Sequence, residues 1–133
     1  MAFFLDTNIC IYALKGQHPA IGRRMQGVSP ASIKIPSIVK GELLFGARKS
    51  GKPDRTLEII EKFLFPFEVV PFGDQAAESY SRIRFELERR GKPVGPNDLI
   101  VAATVMADRA TLVTHNLREF RRIKDLPVED WTK

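Results

Sequence analysis

Cysteine is almost absent from this chain: Cys10 is the only one in 133 residues. A single cysteine excludes an intrachain disulfide, and it also excludes the CxxC pairs of zinc and dithiol redox sites. Histidine is nearly as scarce, with two residues. Any metal site must therefore rely on oxygen ligands, and the low cysteine content fits a reducing cytoplasm, where we expect the protein to reside.

Long apolar runs are also absent. No stretch approaches the roughly 18 residues that a transmembrane helix requires, and no basic segment precedes the first apolar run as it would in a secretory signal. We therefore expect no membrane partner. The hydrophobic fraction of 44% and the charged fraction of 28% are typical of a globular protein. The length indicates a single domain over residues 1–133.

Positive charge exceeds negative charge: 21 lysines and arginines stand against 16 acidic residues, for a net charge of +5. A basic surface favours polyanions, chiefly nucleic acid. One basic cluster, at residues 82–92, is interleaved with Glu86 and Glu88 and has the pattern of a solvated helix face. A second cluster has less acidic compensation and is the better candidate for RNA phosphate contacts: Arg118, Arg121 and Arg122.

Strand and helix signals alternate along the whole chain. Short apolar or alternating segments predict strands at residues 2–6, 32–35, 67–70, 110–114 and 128–131. Proline, glycine and capping residues, Asp74 among them, predict helices at residues 8–15, 19–26, 37–49, 53–65, 75–90 and 97–108, and a helical turn at 118–122. This alternation predicts an α/β fold: a small parallel sheet of about 4–5 strands with helices on both faces.

Three acidic side chains occupy positions that such a fold can bring together. Asp6 ends the first strand, at the edge where open α/β sheets bind ligands. Glu42 shares a helix face with Ile38 and Phe45, although it could equally lie at the edge of the apolar stripe with its carboxylate in water. Asp98 begins a helix that is apolar nearly all round, and it could alternatively bind the free N–H groups of that helix start.

Further polar residues follow the strand at residues 110–114. Thr114 could orient a neighbouring carboxylate, and Asn116 and Glu119 offer oxygens. His115 could act as a base or ligand, but a lone histidine at a strand end is more commonly solvated or structural. Carboxylates with hardly any histidine suit Mg²⁺ or Mn²⁺, which activate water for attack on phosphate. A basic surface around an acidic pocket is the charge layout of a nuclease.

These segments resemble those of PIN-domain endoribonucleases, specifically the VapC-type toxins of bacterial toxin–antitoxin pairs. The resemblance covers the whole chain, and its motifs fall in the family's order. Any one motif alone is weak, but together they are specific. The matching segments are residues 5–9, 41–43 with Gly46, 95–98 with 102–103, 111–120 and 128–131.

The resemblance implies a PIN domain that cleaves RNA with Mg²⁺, or Mn²⁺ in its place. It implies that the metal is coordinated by Asp6, Glu42 and Asp98, with Thr7, Asn8 and Thr114 as supporting polar residues. Metal-bound water would attack the scissile phosphate and leave a 5′-phosphate and a 3′-hydroxyl. The implied substrates are structured RNAs, in tRNA or rRNA loops. The implied partners are a VapB-type antitoxin and a second toxin copy, forming a homodimer and, with antitoxin, a larger hetero-oligomer.

One position departs from the family pattern. Many PIN domains carry a fourth acid where this chain has Asn116, which offers a carbonyl oxygen without charge. Three carboxylates suffice for one Mg²⁺, so we expect activity. A second ion would need Glu119, one helical turn further, as a substitute.

Three other functions compete with the toxin hypothesis. An RNA-processing PIN nuclease without an antitoxin would share the fold and the site. A noncatalytic RNA- or protein-binding PIN domain would bind without cutting. A receiver-like phosphoacceptor domain needs adjacent acids after the first strand and a lysine after the last strand. This chain has Thr7-Asn8 and His115-Asn116 in those regions, which argues against the receiver.

Overall fold

The sheet of this protein has five strands, all parallel. The computed structural model describes residues 1–133, and its strands are β1 (Phe3–Leu5), β2 (Ile33–Pro36), β3 (Glu68–Val70), β4 (Thr111–Val113) and β5 (Val128–Glu129). They lie side by side in the order β3-β2-β1-β4-β5. The predicted α/β class and the strand number are confirmed.

Seven α-helices connect and flank the strands. They are α1 (Thr7–Lys15), α2 (Pro19–Gln26), α3 (Ser37–Arg48), α4 (Pro53–Leu64), α5 (Asp74–Arg89), α6 (Pro96–Ala107) and α7 (Leu117–Phe120). A short 3-10 helix at Pro30–Ser32 was not anticipated; Ser29 caps it by accepting a hydrogen bond from Ala31. Asp74 was predicted to cap α5, which is wrong: Gly73 precedes the helix and Asp74 is its first residue. None of the helices has the length and apolarity needed to cross a membrane.

The direction of the strand connections reverses around β1. The chain moves outward from β1 to β2 and β3, then returns to place β4 on the other side of β1. Because parallel connections are right-handed, this reversal puts helices on both faces of the sheet. In open α/β sheets, ligands bind in the crevice at the carboxyl ends of the strands where the order reverses. Here that crevice lies between the ends of β1 and β4.

Pairing of β1 with β4 aligns the two strand ends. Leu5 is in register with Val113, and the Asp6 N–H continues the ladder by donating to the Val113 carbonyl at 3.1 Å. The residues that follow, Asp6 on one strand and Thr114 on the other, therefore leave the sheet side by side.

Helix α6 is anchored in the core along nearly its whole circumference. Consecutive residues Val101, Ala102 and Ala103 are all at most 2% exposed, and Val105 is fully buried. Each fully buried valine contributes about 1.5–3 kcal/mol. The apolar pattern predicted such a helix, and its burial fixes where Asp98, in the first turn, stands.

The residues of α3 that face the core are not the ones expected from the sequence. Val39, Leu43 and Ala47 face the core, whereas Phe45 is 61% exposed. Phe45 lies about 160° around the helix from Leu43, and the Lys49 ammonium sits 4.6 Å from its ring centroid. The prediction that Phe45 belongs to a buried stripe with Glu42 was therefore wrong.

Candidate active site

Asp6 serves the fold and the site with the same carboxylate. It is 7% exposed and forms the N-cap of α1, where its Oδ1 accepts a hydrogen bond from the Ile9 N–H at 2.9 Å. Burial raises the pKa of Asp6 above its ordinary value, while hydrogen bonds from Thr114 and Ile9 oppose that rise. The carboxylate is thus held at the strand end by donors on both sides.

Glu42 is held between two other elements. Thr7 Oγ1, at the start of α1, donates to Glu42 Oε1 at 2.7 Å. Asn97 Nδ2, at the start of α6, donates to Glu42 Oε2 at 3.2 Å. Both carboxylate oxygens of this half-buried side chain therefore have neutral donors. The contribution of Asn97 was not anticipated from the sequence.

Asp98 lies within electrostatic reach of the three other carboxylates at this edge of the sheet. Burial raises its pKa to about 6, and the neighbouring charges of Glu119, Asp6 and Glu42 push in the same direction. A side-chain hydrogen bond with Glu119 adds to the effect. The three acids predicted from the sequence are thus brought together, and Glu119 joins them.

Glu119 is the acid that lies against Asp98. Its Oε1 accepts from the Gly95 N–H at 2.7 Å, and its Oε2 accepts from Asn116 Nδ2 at 3.1 Å. Burial raises the pKa of Glu119, but these hydrogen bonds and one from Asp98 outweigh burial and leave the pKa below its ordinary value. The donors to Glu119 thus stabilise its charge, and that charge contributes to the raised pKa of Asp98.

The supporting residues divide into those in contact with the acids and one that is not. Thr7 binds Glu42. Thr114 is fully buried, bonds Asp6, and accepts from the Asn116 N–H at 3.0 Å. Asn8 is exposed on α1 and takes part in none of these hydrogen bonds, so its supporting role stays a prediction.

The second basic cluster is only partly available for a ligand. Arg122 Nη1 donates to the Pro93 carbonyl at 2.7 Å, and Arg90 Nη2 donates to the Arg122 carbonyl at 2.6 Å. Arg122 therefore braces the loop before α6. Arg118 and Arg121 are exposed and remain as candidates for phosphate contact.

The first basic cluster, on α5, is neutralised by its own helix. Arg84 and Glu88 pair at 2.8 Å, and Arg89 and Glu86 pair at 2.6 Å, all with exposed side chains. Such surface pairs contribute little to stability. This arrangement agrees with the predicted solvated helix face.

His115 has a carboxylate partner that the sequence did not indicate. Its Nδ1 lies 3.0 Å from Asp130 Oδ2, in the segment after β5. Its ring is also within 6.4 Å of Tyr12 and 5.9 Å of His18, centroid to centroid. No pattern in the chain links these residues, because the fold alone brings them together.

The donor set suits a hard divalent cation. In this structure, however, no three Asp, Glu, His or Cys side chains are arranged so that they could hold a metal ion. Glu42 and Glu119 instead accept hydrogen bonds from neutral donors. Oxygen ligands are those that Mg²⁺ and Mn²⁺ prefer. A cation here would relieve both the buried charge of Asp6 and the raised pKa of Asp98.

Comparison with known proteins identifies the family to which this chain belongs. The PIN domain family model matches residues 3–126. The tRNA(fMet)-specific endonuclease VapC of Salmonella typhimurium is 40% identical over 98% of each chain, and ribonuclease VapC2 of Rickettsia felis is 37% identical over the whole of both chains. The crystal structure of DNA-bound VapBC from Salmonella typhimurium superposes with a TM-score of 0.93, at 40% identity and 98% coverage of each chain. The chain belongs to the PIN domain family and, within it, to the VapC nucleases.

Proposed function

We propose that this protein is the toxin of a VapBC-type toxin–antitoxin pair, an endoribonuclease that hydrolyses a phosphodiester of a structured RNA with Mg²⁺ or Mn²⁺. The observation that supports this most directly is the convergence of Asp6, Glu42, Asp98 and Glu119 at the crevice between β1 and β4. Carboxylates so placed would repel one another in the absence of a cation.

The metal would be held by Asp6, Glu42 and Asp98. When bound, it supplies an activated water for attack on the phosphate and stabilises charge on the leaving oxygen, giving a 5′-phosphate and a 3′-hydroxyl. The chain's own residues orient the ligands. Thr7 and Asn97 fix Glu42, and Thr114, together with the α1 backbone, fixes Asp6.

Glu119 takes the role of the missing fourth acid in this proposal. Asn116 stands where many relatives of this fold carry a carboxylate, and here its amide donates to Glu119. The Gly95 N–H holds the other oxygen of Glu119. Glu119 thereby brings a fourth negative charge against Asp98, so loss of charge at Asn116 does not leave the site with three acids.

The substrate we propose is the initiator tRNA. The Salmonella relative is named for tRNA(fMet), and it is similar over nearly the whole chain. Arg118 and Arg121 are exposed near the site and would contact phosphates. An rRNA loop is the competing substrate, and cleavage-site sequencing distinguishes the two.

The antitoxin would bind a groove that begins at Glu42. The groove has a volume of about 430 Å³, lies between α1, α3 and α4, and is lined mainly by apolar side chains. They include Ile11, Leu14, Leu43, Ile59 and Ile60. A VapB-type segment seated there would reach the acidic site. We also propose a toxin homodimer that forms a larger hetero-oligomer with antitoxin, and a cytoplasmic location.

The deciding experiment uses purified protein freed of antitoxin and a tRNA(fMet) transcript. We expect cleavage with Mg²⁺ or Mn²⁺ and none with EDTA. Asp6→Asn, which keeps an oxygen to cap α1, and Asp98→Asn should each abolish cleavage. Asp74→Asn, also an aspartate in a helix's first turn but remote from the site, is the matched control and should cut normally. Full activity in Asp98→Asn, or in EDTA, would contradict the proposal.

Expression in cells separates the toxin from the other PIN-domain functions. Growth arrest that a co-expressed VapB-type antitoxin relieves supports the toxin. Cleavage without arrest would instead favour an RNA-processing nuclease. RNA binding without any cut in total cellular RNA would favour a noncatalytic domain.

A further inference from the structure

Three aromatic rings meet beside the acidic crevice. Tyr12 projects from α1, His18 precedes α2, and His115 follows β4. The ring centroids of Tyr12 and His18 are 4.6 Å apart, and those of His18 and His115 are 5.9 Å apart. Both histidines are exposed. Tyr12 packs against the core, but core burial does not account for the two histidines.

His115 is held at one edge of its ring. Its Nδ1 is bound to Asp130 Oδ2, and Asp130 is itself fixed through its other oxygen by the backbone N–H and the hydroxyl of Thr132. The Asp130 side chain is 9% exposed, whereas that of His115 is 49% exposed. A buried carboxylate thus orients a ring that remains half open to solvent. An aromatic ring oriented in advance loses little freedom when a ligand stacks on it.

The cluster adjoins the place where RNA would be cut. His115 directly follows Thr114, which bonds Asp6. Two exposed cations are close to these residues in the chain: Lys15 is three residues after Tyr12, and Arg118 is three residues after His115. Flat rings next to a cutting site, with exposed cations close in the chain, match the two parts of a single-stranded nucleotide, its base and its phosphates.

We propose that Tyr12, His18 and His115 form a stacking site for an unpaired nucleobase of the RNA next to the scissile phosphate. This inference rests on the ribonuclease function proposed above. Unpaired bases in RNA loops are bound by stacking on aromatic side chains, histidine included. Asp130 acts as a positioning residue, because it touches His115 and not the base.

The kinetic test compares ring removal with ring replacement. His115→Ala and His18→Ala should each raise KM for a tRNA(fMet) transcript about tenfold with little change in kcat, as expected for loss of one stacking contact. His115→Phe should restore KM because it keeps a ring. Phe65→Ala is the matched control, since Phe65 is 89% exposed and stands before β3, at the opposite edge of the sheet.

A binding test removes catalysis from the measurement. In the Asp98→Asn background with EDTA, a short single-stranded oligoribonucleotide carrying 2-aminopurine should lose fluorescence on binding, because stacking quenches that base. The quench should persist with Phe65→Ala and His115→Phe and disappear with His115→Ala. Thermal melts check that each variant is folded, and His18→Ala removes a ring without disturbing Asp130.

The outcomes separate this site from the proposed function. If wild-type protein cuts RNA but His115→Ala and His18→Ala keep the wild-type KM and the wild-type 2-aminopurine quench, the stacking site is wrong and the proposed ribonuclease function is unaffected. If wild-type protein cuts nothing with metal, the nuclease function fails, and the 2-aminopurine quench still decides the stacking site. If folded His115→Phe behaves like His115→Ala, hydrogen bonding rather than stacking is responsible, and the inference is overturned.

Discussion

Replacing Asp98 with asparagine should make the metal-free protein more stable while abolishing its activity. Burial and the charges of Glu119, Asp6 and Glu42 raise the pKa of Asp98 from 3.8 to about 6. A rise of about two units corresponds to roughly 3 kcal/mol. Because Asp98 is only half-buried, solvent screening reduces this to about 1 kcal/mol. The neutral amide of Asp98→Asn would escape that penalty and still donate to Glu119.

The pH dependence has a definite sign. The folded-state pKa of Asp98 is raised, so its contribution to stability is fully present below pH 3.8 and is lost as the pH rises to about 6. Asp98→Asn should therefore melt with the wild type near pH ~4 and about 3–5 °C above it at neutral pH.

Thermal melts in EDTA, with and without added Mg²⁺, provide the assay. Mg²⁺ should stabilise the wild type by about 2.7 kcal/mol at roughly 100 times its Kd, and so raise its melting temperature. It should do little for Asp98→Asn. Asp74→Asn is the control and should lose a few tenths of a kcal/mol, because only its favourable helix-start charge is removed. If Asp98→Asn were less stable than the wild type in EDTA at neutral pH, burial and carboxylate repulsion would not be destabilising the charged form of Asp98 as argued.

Three further outcomes test the arrangement around the site. Glu119→Gln should lower the pKa of Asp98 and slow single-turnover cleavage by about 10–100-fold; an unchanged rate would remove Glu119 from the site. Ile59→Glu places a charge in the groove between α1, α3 and α4, so it should weaken inhibition by a VapB-type antitoxin about tenfold or more in a titration, with cleavage by free toxin unaffected. Arg122→Ala removes the bond to Pro93 and should lower the free energy of unfolding by about 1 kcal/mol in a denaturant titration; no change would show that this arginine does not brace the loop.

The fold was largely predictable because local signals and topology agree along this chain. Proline, glycine and cap residues mark the helix ends, and alternating elements of this kind have few possible arrangements. Once β1 is placed next to β4, Asp6 and Thr114 must leave the sheet together. The same reasoning could not tell which apolar face of α3 is turned inward, so Phe45 was assigned to the apolar stripe with Glu42 although it is exposed.

The finer contacts of the site depend on tertiary structure that local patterns do not encode. Asn97 reaches Glu42 only because α3 and α6 pack together. No acidic partner for Arg122 is evident in the sequence, and its actual partner is a backbone carbonyl, which a comparison of charged residues cannot reveal. His18 and His115 lie at opposite ends of the sequence, so their proximity follows only from where α2 and β4 are placed.

The chain's only tryptophan gives this molecule a built-in optical probe. Trp131 is 1% exposed, packs 5.2 Å from the ring of Phe3 on β1, and lies under the Arg24 guanidinium of α2. Its emission therefore depends on the first strand and the last segment being in place at the same time. A shift to longer wavelength will report separation of the two chain ends, which makes fluorescence a measure of whether the sheet is intact.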